Sequence, residues 1–484
     1  MKTGGLSAAL LAMAEGCSRS DQRASNNLAE LDAVETATRI RNGELSAVEA
    51  VDAAIARARR INPKINAIAT KTFKSAHKLA GTTTGPLAGV PTFIKDLDDV
   101  IGVASGFGSR AFPGYKGKTQ TPLIDAILNT GVVSLGKSTT PEFGLTATTE
   151  PVSTGVTRNP WSTDYSTGGS SGGAAALVAS GVVPIAHASD GGGSIRIPAN
   201  CCGNVGLKVS RGRNPPDRPE LEISISVHGV QSRTVRDTAA MIAAIELPAE
   251  ESGLPPVGLV TSPPERRLRI GLFTHGVTGR PVDPVVVEFA NAHAKICEDL
   301  GHSVEAVELP IAPTVEDDFI LYWAANANDA ISIWEQATGL KRNRLAFEPL
   351  TLGLADFYRS NADKYDGAVA RLKQTPAQFE TLFDQYDVLL SPVLAQPTVE
   401  IGYLDTTLDF DIAMPRLLNY AQFTGLYNIT GSPAISLPLS MLDNGLPIGA
   451  MFGARTGDEA TLLALGYELE EAAPWRARRP PLFG

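Results

Sequence analysis

Apolar residues recur along this chain at two spacings, and the alternation between them predicts a layered α/β fold. Residues 28–60 read as two helices. Ser46-Ala47-Val48-Glu49 has the form of a capping box, and Val48, Val51 and Ile55 follow at helical spacing. Leu87 to Asp96 reads as a turn feeding a short buried strand, and Thr130 to Leu135 as another strand. Residues 174–180 (Ala-Ala-Ala-Leu-Val-Ala-Ser) form a helix of small side chains that can lie close against a sheet. Leu268, Ile270, Leu272 and Phe273 mark a strand over 268–274. Pro284 to Leu300 is helical, with Asp283 able to cap it, Pro284 suited to its first position and Gly301 past its end. Short strands follow at Tyr386–Leu390 and Ile435–Leu437, then an amphipathic helix over Asp458–Ala472. The Pro/Gly-rich stretch 252–266 reads as a linker or surface loop. Residues 311–380 are helix-rich and aromatic, and are expected to cap a site. Strands alternating with helices indicate an α/β fold.

Composition narrows the functional classes. The 484 residues are 43% hydrophobic, enough for a large core, and carry a net charge of −10. No basic block offsets that charge, which excludes a general nucleic-acid binder. No run reaches the roughly 18 apolar residues of a spanning helix. Cys17, Cys201, Cys202 and Cys297 lack paired spacing, so buried thiols are favoured over a disulfide framework or a zinc site. Lys2, the apolar stretch Leu6–Ala14 and Glu15-Gly16-Cys17 resemble a degraded lipoprotein signal. Glu15 fits such a cleavage site poorly. Residues 1–27 are therefore expected to be a tail of a cytoplasmic protein, with export or lipid anchoring through Cys17 as the alternative.

The chemistry concentrates in two glycine-dense loops, Gly168-Gly169-Ser170-Ser171-Gly172-Gly173 and Asp190-Gly191-Gly192-Gly193-Ser194-Ile195-Arg196. Glycine costs backbone entropy, and dense glycine implies a close approach to backbone N–H groups. A serine among converging N–H groups combines a nucleophile with an oxyanion hole. The first loop formally matches G-x-S-x-G, but that elbow needs a late histidine, and the last one is His302. Neither loop carries a phosphate-binding lysine or a dinucleotide fingerprint. The six histidines show no ligand spacing, so no metal or cofactor is expected. Lysine remains as the base for a serine. Lys95 ends an apolar strand, where burial disfavours its charge; from about 10.4 its pKa must fall to about 7 to act at neutral pH.

These residues together resemble the amidase signature family of serine hydrolases. The resemblance runs through Gly89-Val90-Pro91-Thr92-Phe93-Ile94-Lys95-Asp96, Thr157–Trp161, the two serine loops, Gly206-Leu207-Lys208, Ser232–Asp237, Tyr386–Pro392 and Gly431-Ser432-Pro433-Ala434. It covers residues 28–484. It implies a single amidase domain around a large mixed, twisted β-sheet with helices on both faces. It further implies Ser194 as nucleophile, Ser170 as bridging serine after a cis Gly169–Ser170 peptide, and Lys95 as base. The N–H groups of Gly191, Gly192, Gly193 and Ser194 are implied as the oxyanion hole, with Gly169, Ser171, Asp190 and Arg196 in support. Gly191 replaces a commoner threonine, Thr167 a frequent proline, and Asn200-Cys201-Cys202 also departs from the pattern. The Asp-Gly-Gly-Gly-Ser form, with Val103–Ser109, is similar to the branch holding 6-aminohexanoate-cyclic-dimer hydrolases and urethanases.

Phe319, Tyr322 and Trp323 are the expected pocket residues; Trp323 follows Phe319 by one helical turn, although core packing explains such a stripe as well. The expected substrates are uncharged non-peptide amides (linear, cyclic or aryl) and carbamates, with ester cleavage as a side activity, by a monomer or homodimer without nucleic-acid partners. The competing readings are a glutaminase-type subunit of an amidotransferase and a catalytically inactive binding module.

Overall fold

The computed structural model describes residues 28–216 and 221–484, so the tail expected over 1–27, including Cys17, lies outside the described residues. Eleven strands are present among them. In chain order they are β1 (Ile68–Lys71), β2 (Pro91–Lys95), β3 (Val133–Ser138), β4 (Ile185–Asp190), β5 (Val205–Lys208), β6 (Val227–Ser232), β7 (Arg269–Leu272), β8 (Ser303–Ala306), β9 (Val388–Pro392), β10 (Ala434–Met441) and β11 (Pro447–Ala454). Eight form a mixed sheet in the order β4-β6-β5-β10-β11-β9-β7-β8. β7 runs parallel to β8 and β9, and the other neighbours are antiparallel. β1, β3 and β2 form a separate three-stranded sheet.

The two sheets meet where β2 runs beside β4. Side chains make that junction: Thr92 Oγ1 donates to the Ile185 carbonyl at 3.0 Å, and the Lys95 N–H donates to His187 Nδ1 at 3.2 Å. Both strands are buried along their whole length. The all-small helix Gly172–Ala179 is also wholly buried, and its Ala174, Ala176 and Leu177 pack in one core with Phe93, Leu135 and Ala186. Small side chains there let the preceding serine loop lie directly on the sheet junction.

The caps follow the sequence. Ser46 and Glu49 close their capping box on the helix Ala47–Ile65, and Asp283 accepts from the Val285 N–H ahead of Pro284–Asp299. Residues 311–380 are mostly helical, in Val315–Thr338, Pro349–Ser360, Tyr365–Leu372 and Thr375–Glu380. The first of these packs in the same core as β9 residue Leu389 and β11 residue Met451. Cys201, Cys202 and Cys297 are buried free thiols.

Candidate active site

Lys95, at the end of β2, is fully buried, and its Nζ donates to Ser170 Oγ at 2.7 Å and to Ser189 Oγ at 3.0 Å. Burial brings its pKa down from 10.5 to about 7, against the opposing pull of the Asp98 and Asp190 carboxylates. Neutral lysine therefore exists at physiological pH. The Gly169–Ser170 peptide bond is cis. A Cβ on Gly169 would lie 2.2 Å from the Thr148 carbonyl oxygen, so only glycine fits that approach. Ser171 ties the two serine loops together. Its N–H donates to the Ser194 carbonyl at 3.3 Å, and its hydroxyl donates to the Ser189 carbonyl at 3.2 Å.

Asp190 organises the second loop. Its carboxylate accepts from Gly193 N–H at 2.7 Å and Ile195 N–H at 3.1 Å, and pairs with Arg196 at 2.9 Å with both side chains fully buried. Burial alone would raise this carboxyl; the Arg196 guanidinium, with hydrogen bonds from Arg196 and Asn428, holds it below the usual carboxylate range instead. The engagement of Gly193 corrects the sequence expectation for the oxyanion hole. Its N–H is turned inward to Asp190 and is not available to a substrate. Among the described residues the N–H groups of Gly191, Gly192 and Ser194 have no acceptor. The loop thus leaves three of these four N–H groups without a protein acceptor.

Two residues the sequence reading missed hold this arrangement from the helix Gly425–Thr430 and its cap. Thr424 Oγ1 donates to the Gly192 carbonyl at 2.6 Å. Asn428 Nδ2 donates to the Asp190 carbonyl at 2.8 Å and to its carboxylate at 2.9 Å, while Asn428 Oδ1 accepts from Arg196 at 2.7 Å. Gly193 has φ +130°, and a Cβ on it would lie 2.3 Å from Thr424 Oγ1. No local motif signals these partners, which lie more than two hundred residues further along.

Asp98, His187 and His228 bring ligand atoms within 4.8 Å of one another. The hydrogen bonds make this a support for Lys95 rather than a metal centre. His187 Nδ1 already accepts the Lys95 N–H, so its single proton sits on Nε2, facing His228 Nδ1 at 3.0 Å. A metal ion on Nε2 would force that proton to Nδ1, against the Lys95 N–H. Burial, aided by the charges of neighbouring His228, Lys95 and Lys137, holds His187 well below its ordinary 6.5 and keeps it neutral.

Ser170, Gly191, Gly192 and Ser194 open onto a cavity of about 580 Å³. Phe319 and Trp323 line it. Tyr322, the third expected pocket residue, does not. It is buried, its hydroxyl donates to the Ile223 carbonyl at 2.7 Å and accepts from the Ile223 N–H at 3.1 Å, and its ring stacks on Tyr365. A position three residues from Phe319 need not share its exposure, and here the hydroxyl's partners turn it to the core.

Comparison with known proteins places this chain. The family model described as Amidase matches residues 49–463. A putative amidase, AmiC, of Mycobacterium tuberculosis is 46% identical over 460 residues, covering 94% of this chain and 97% of that protein. The 6-aminohexanoate-cyclic-dimer hydrolase of Paenarthrobacter ureafaciens is 35% identical over 491 residues, covering 93% and 97%. Among solved structures, a 6-aminohexanoate cyclic dimer hydrolase complexed with substrate superposes with a TM-score of 0.86 at 31% identity, covering 94% of this chain and all of that one (100%). A bacterial aryl acylamidase of the amidase signature family gives 0.83 at 27% identity, covering 93% and 99%. With a family model spanning most of its length and these relatives along nearly all of it, the chain belongs to the amidase signature family of hydrolases.

Proposed function

We propose that this protein hydrolyses C–N bonds of non-peptide amides, linear, cyclic or aryl, and of carbamates, through an acyl-enzyme on Ser194. The observation that carries this reading is the buried Lys95 Nζ to Ser170 Oγ hydrogen bond of 2.7 Å, beside a serine loop with three unengaged N–H groups. Neutral Lys95 takes the Ser170 proton as Ser170 takes that of Ser194, and Ser194 Oγ attacks the carbonyl carbon. The developing oxyanion accepts from the N–H groups of Gly191, Gly192 and Ser194. When the C–N bond breaks, Ser170 returns a proton to the departing nitrogen and is reprotonated by Lys95. Water then cleaves the Ser194 ester by the same relay, releasing the acid. A carbamate passes through the same steps, and its carbonic half-ester loses carbon dioxide to leave amine and alcohol.

The similarity to a cyclic-dimer hydrolase and an aryl acylamidase supports amides over other acyl donors, and Phe319 and Trp323 supply an apolar wall. The helix Val315–Thr338 then covers one side of the cavity. The test is turnover of a nitroanilide and an aryl carbamate by the purified chain. Ser194→Ala is expected to reduce both by at least about a thousandfold, within the range known for removal of an activated nucleophile, with an unchanged circular dichroism spectrum. Near-normal turnover in that variant would refute the assignment. Activity of the chain alone separates a stand-alone hydrolase from an amidotransferase subunit.

A further inference from the structure

We propose that the substrate is an elongated amide, one of whose arms is an extended apolar chain lying in a channel along the helix Val315–Thr338; this rests on the hydrolytic reading above. Seven residues of that helix line the cavity: Val315, Glu316, Phe319, Ile320, Trp323, Asn326 and Ala330. At 3.6 residues per turn they fall on one stripe about 140° wide, so the cavity follows the helix axis instead of touching it at one point.

The reacting centre sits near one end of this stripe. A Cβ on Gly192 would lie 3.5 Å from the Phe319 ring, and one on Gly425 equally 3.5 Å, so Phe319 marks the level of the Ser194 loop. Ala330 is eleven residues further on, about 16 Å at 1.5 Å per residue. Glu316 lies only about 4.5 Å in the other direction. Apolar side chains line the cavity elsewhere as well: Gly144, where a Cβ would lie 3.1 Å from Ser170 Oγ, is followed in the lining by Leu145 and preceded by Phe143, and Phe107 joins them. Phe107 and Phe143 each pack edge-on against Phe112, at 5.3 Å and 6.0 Å, which fixes both rings.

The dimensions then define the occupant. A compact space of about 580 Å³ would span only about 10 Å, so a cavity lined from Glu316 to Ala330, roughly 20 Å of helix, is elongated. Such a space suits an extended chain or a line of flat rings better than a compact substituent. By extended-chain spacing of about 3.5 Å per three bonds, the long arm holds about 14 bonds. A small free amide would leave most of the channel empty.

The experiment measures kcat/KM for acyl anilides from acetyl to tetradecanoyl, and for N-alkyl acetamides of matching length. The expected result is a rise of about two- to fourfold per methylene in one series up to a plateau near 14 bonds, the rising series telling which side of the amide occupies the channel. Ala330→Trp, or Asn326→Phe if the first does not fold, is expected to cut the decanoyl-to-acetyl ratio of that series at least tenfold. Independence of length in both series, or an unchanged ratio in both variants, overturns the proposal. Binding of the same compounds to Ser194→Ala by calorimetry separates the two readings. Affinity that rises with length without turnover in the unsubstituted enzyme removes the hydrolytic reading and keeps the channel, whereas affinity that ignores length removes the channel.

Discussion

Replacing Lys95 by methionine tests the proposed chemistry and the cost of installing it at once. Methionine is of similar length and carries no proton. In the folded protein the lysine has a pKa of about 7 against an ordinary 10.5, with burial as the main cause. Each tenfold loss of proton affinity corresponds to 1.36 kcal/mol, so the buried lysine destabilises the native state by about 4 kcal/mol at pH 7. Because the folded pKa lies below the unfolded one, the unfolded chain binds the extra proton between pH 7 and 10.5. Native stability therefore rises with pH across that window by up to about 1.4 kcal/mol per pH unit, and the penalty is fully present below about 7. Lys95→Met removes this slope. It also breaks the hydrogen bonds to Ser170 and Ser189, at about 1–2 kcal/mol each. The variant should thus match or modestly exceed the parent in stability at pH 7, and be the less stable of the two near pH 10. Urea unfolding of both proteins at pH 7 to 10 measures the difference. A difference that stays constant within about 1 kcal/mol would show that Lys95 is not perturbed, and the base assignment would lose its physical ground. The kinetic counterpart is a kcat/KM that rises with pH through about 7 as Lys95 loses its proton and is flat above. An ascending limb lying above about 9 contradicts the same reasoning.

Two further variants separate positioning from packing. Thr424→Val keeps shape but removes the donor to the Gly192 carbonyl; kcat should fall about ten- to a hundredfold with KM within a few-fold, and Thr424→Ser should restore most of it. A change confined to KM would mean the loop does not depend on Thr424. Tyr322→Phe leaves the Ile223 N–H and carbonyl without their partner, which should cost about 1–3 kcal/mol in unfolding free energy while the chain-length preference of the enzyme is unchanged. An altered preference would return Tyr322 to the pocket.

The parts of the fold legible in the sequence are those set by short-range physics. The capping box at Ser46, the Asp283-Pro284 start and the small-residue helix all depend on neighbours a few positions away, and each forms where the pattern places it. Strands buried on both sides were harder. β4 reads Ile-Ala-His-Ala-Ser-Asp and β11 Pro-Ile-Gly-Ala-Met-Phe-Gly-Ala, and neither alternates polar with apolar nor is rich in branched residues. His187 in β4 looks unsuited to a core until its two ring nitrogens find Lys95 and His228. The separation of β1-β3-β2 from the larger sheet rests on side-chain bonds at the β2–β4 junction, to which a strand pattern is blind.

The site divides along the same line. Glycine density drew attention to the two serine loops, and the family resemblance named Ser170 and Ser194 within them and Lys95 upstream; the structure places Lys95 Nζ 2.7 Å from Ser170 Oγ. The direction of each donor was not legible, because peptide orientation is set by distant partners. The Asp190 carboxylate takes the Gly193 N–H, Thr424 holds the adjoining Gly192 carbonyl, and Asn428 clasps both Asp190 and Arg196. A run of three glycines has no preferred orientation of its own. Its orientation is set from outside, by the helix Gly425–Thr430 and its cap. In the proposed mechanism, the precision of the oxyanion site therefore resides less in the glycine loop than in that helix. Substitutions there should act on the transition state, where charge develops on oxygen, more than on substrate binding.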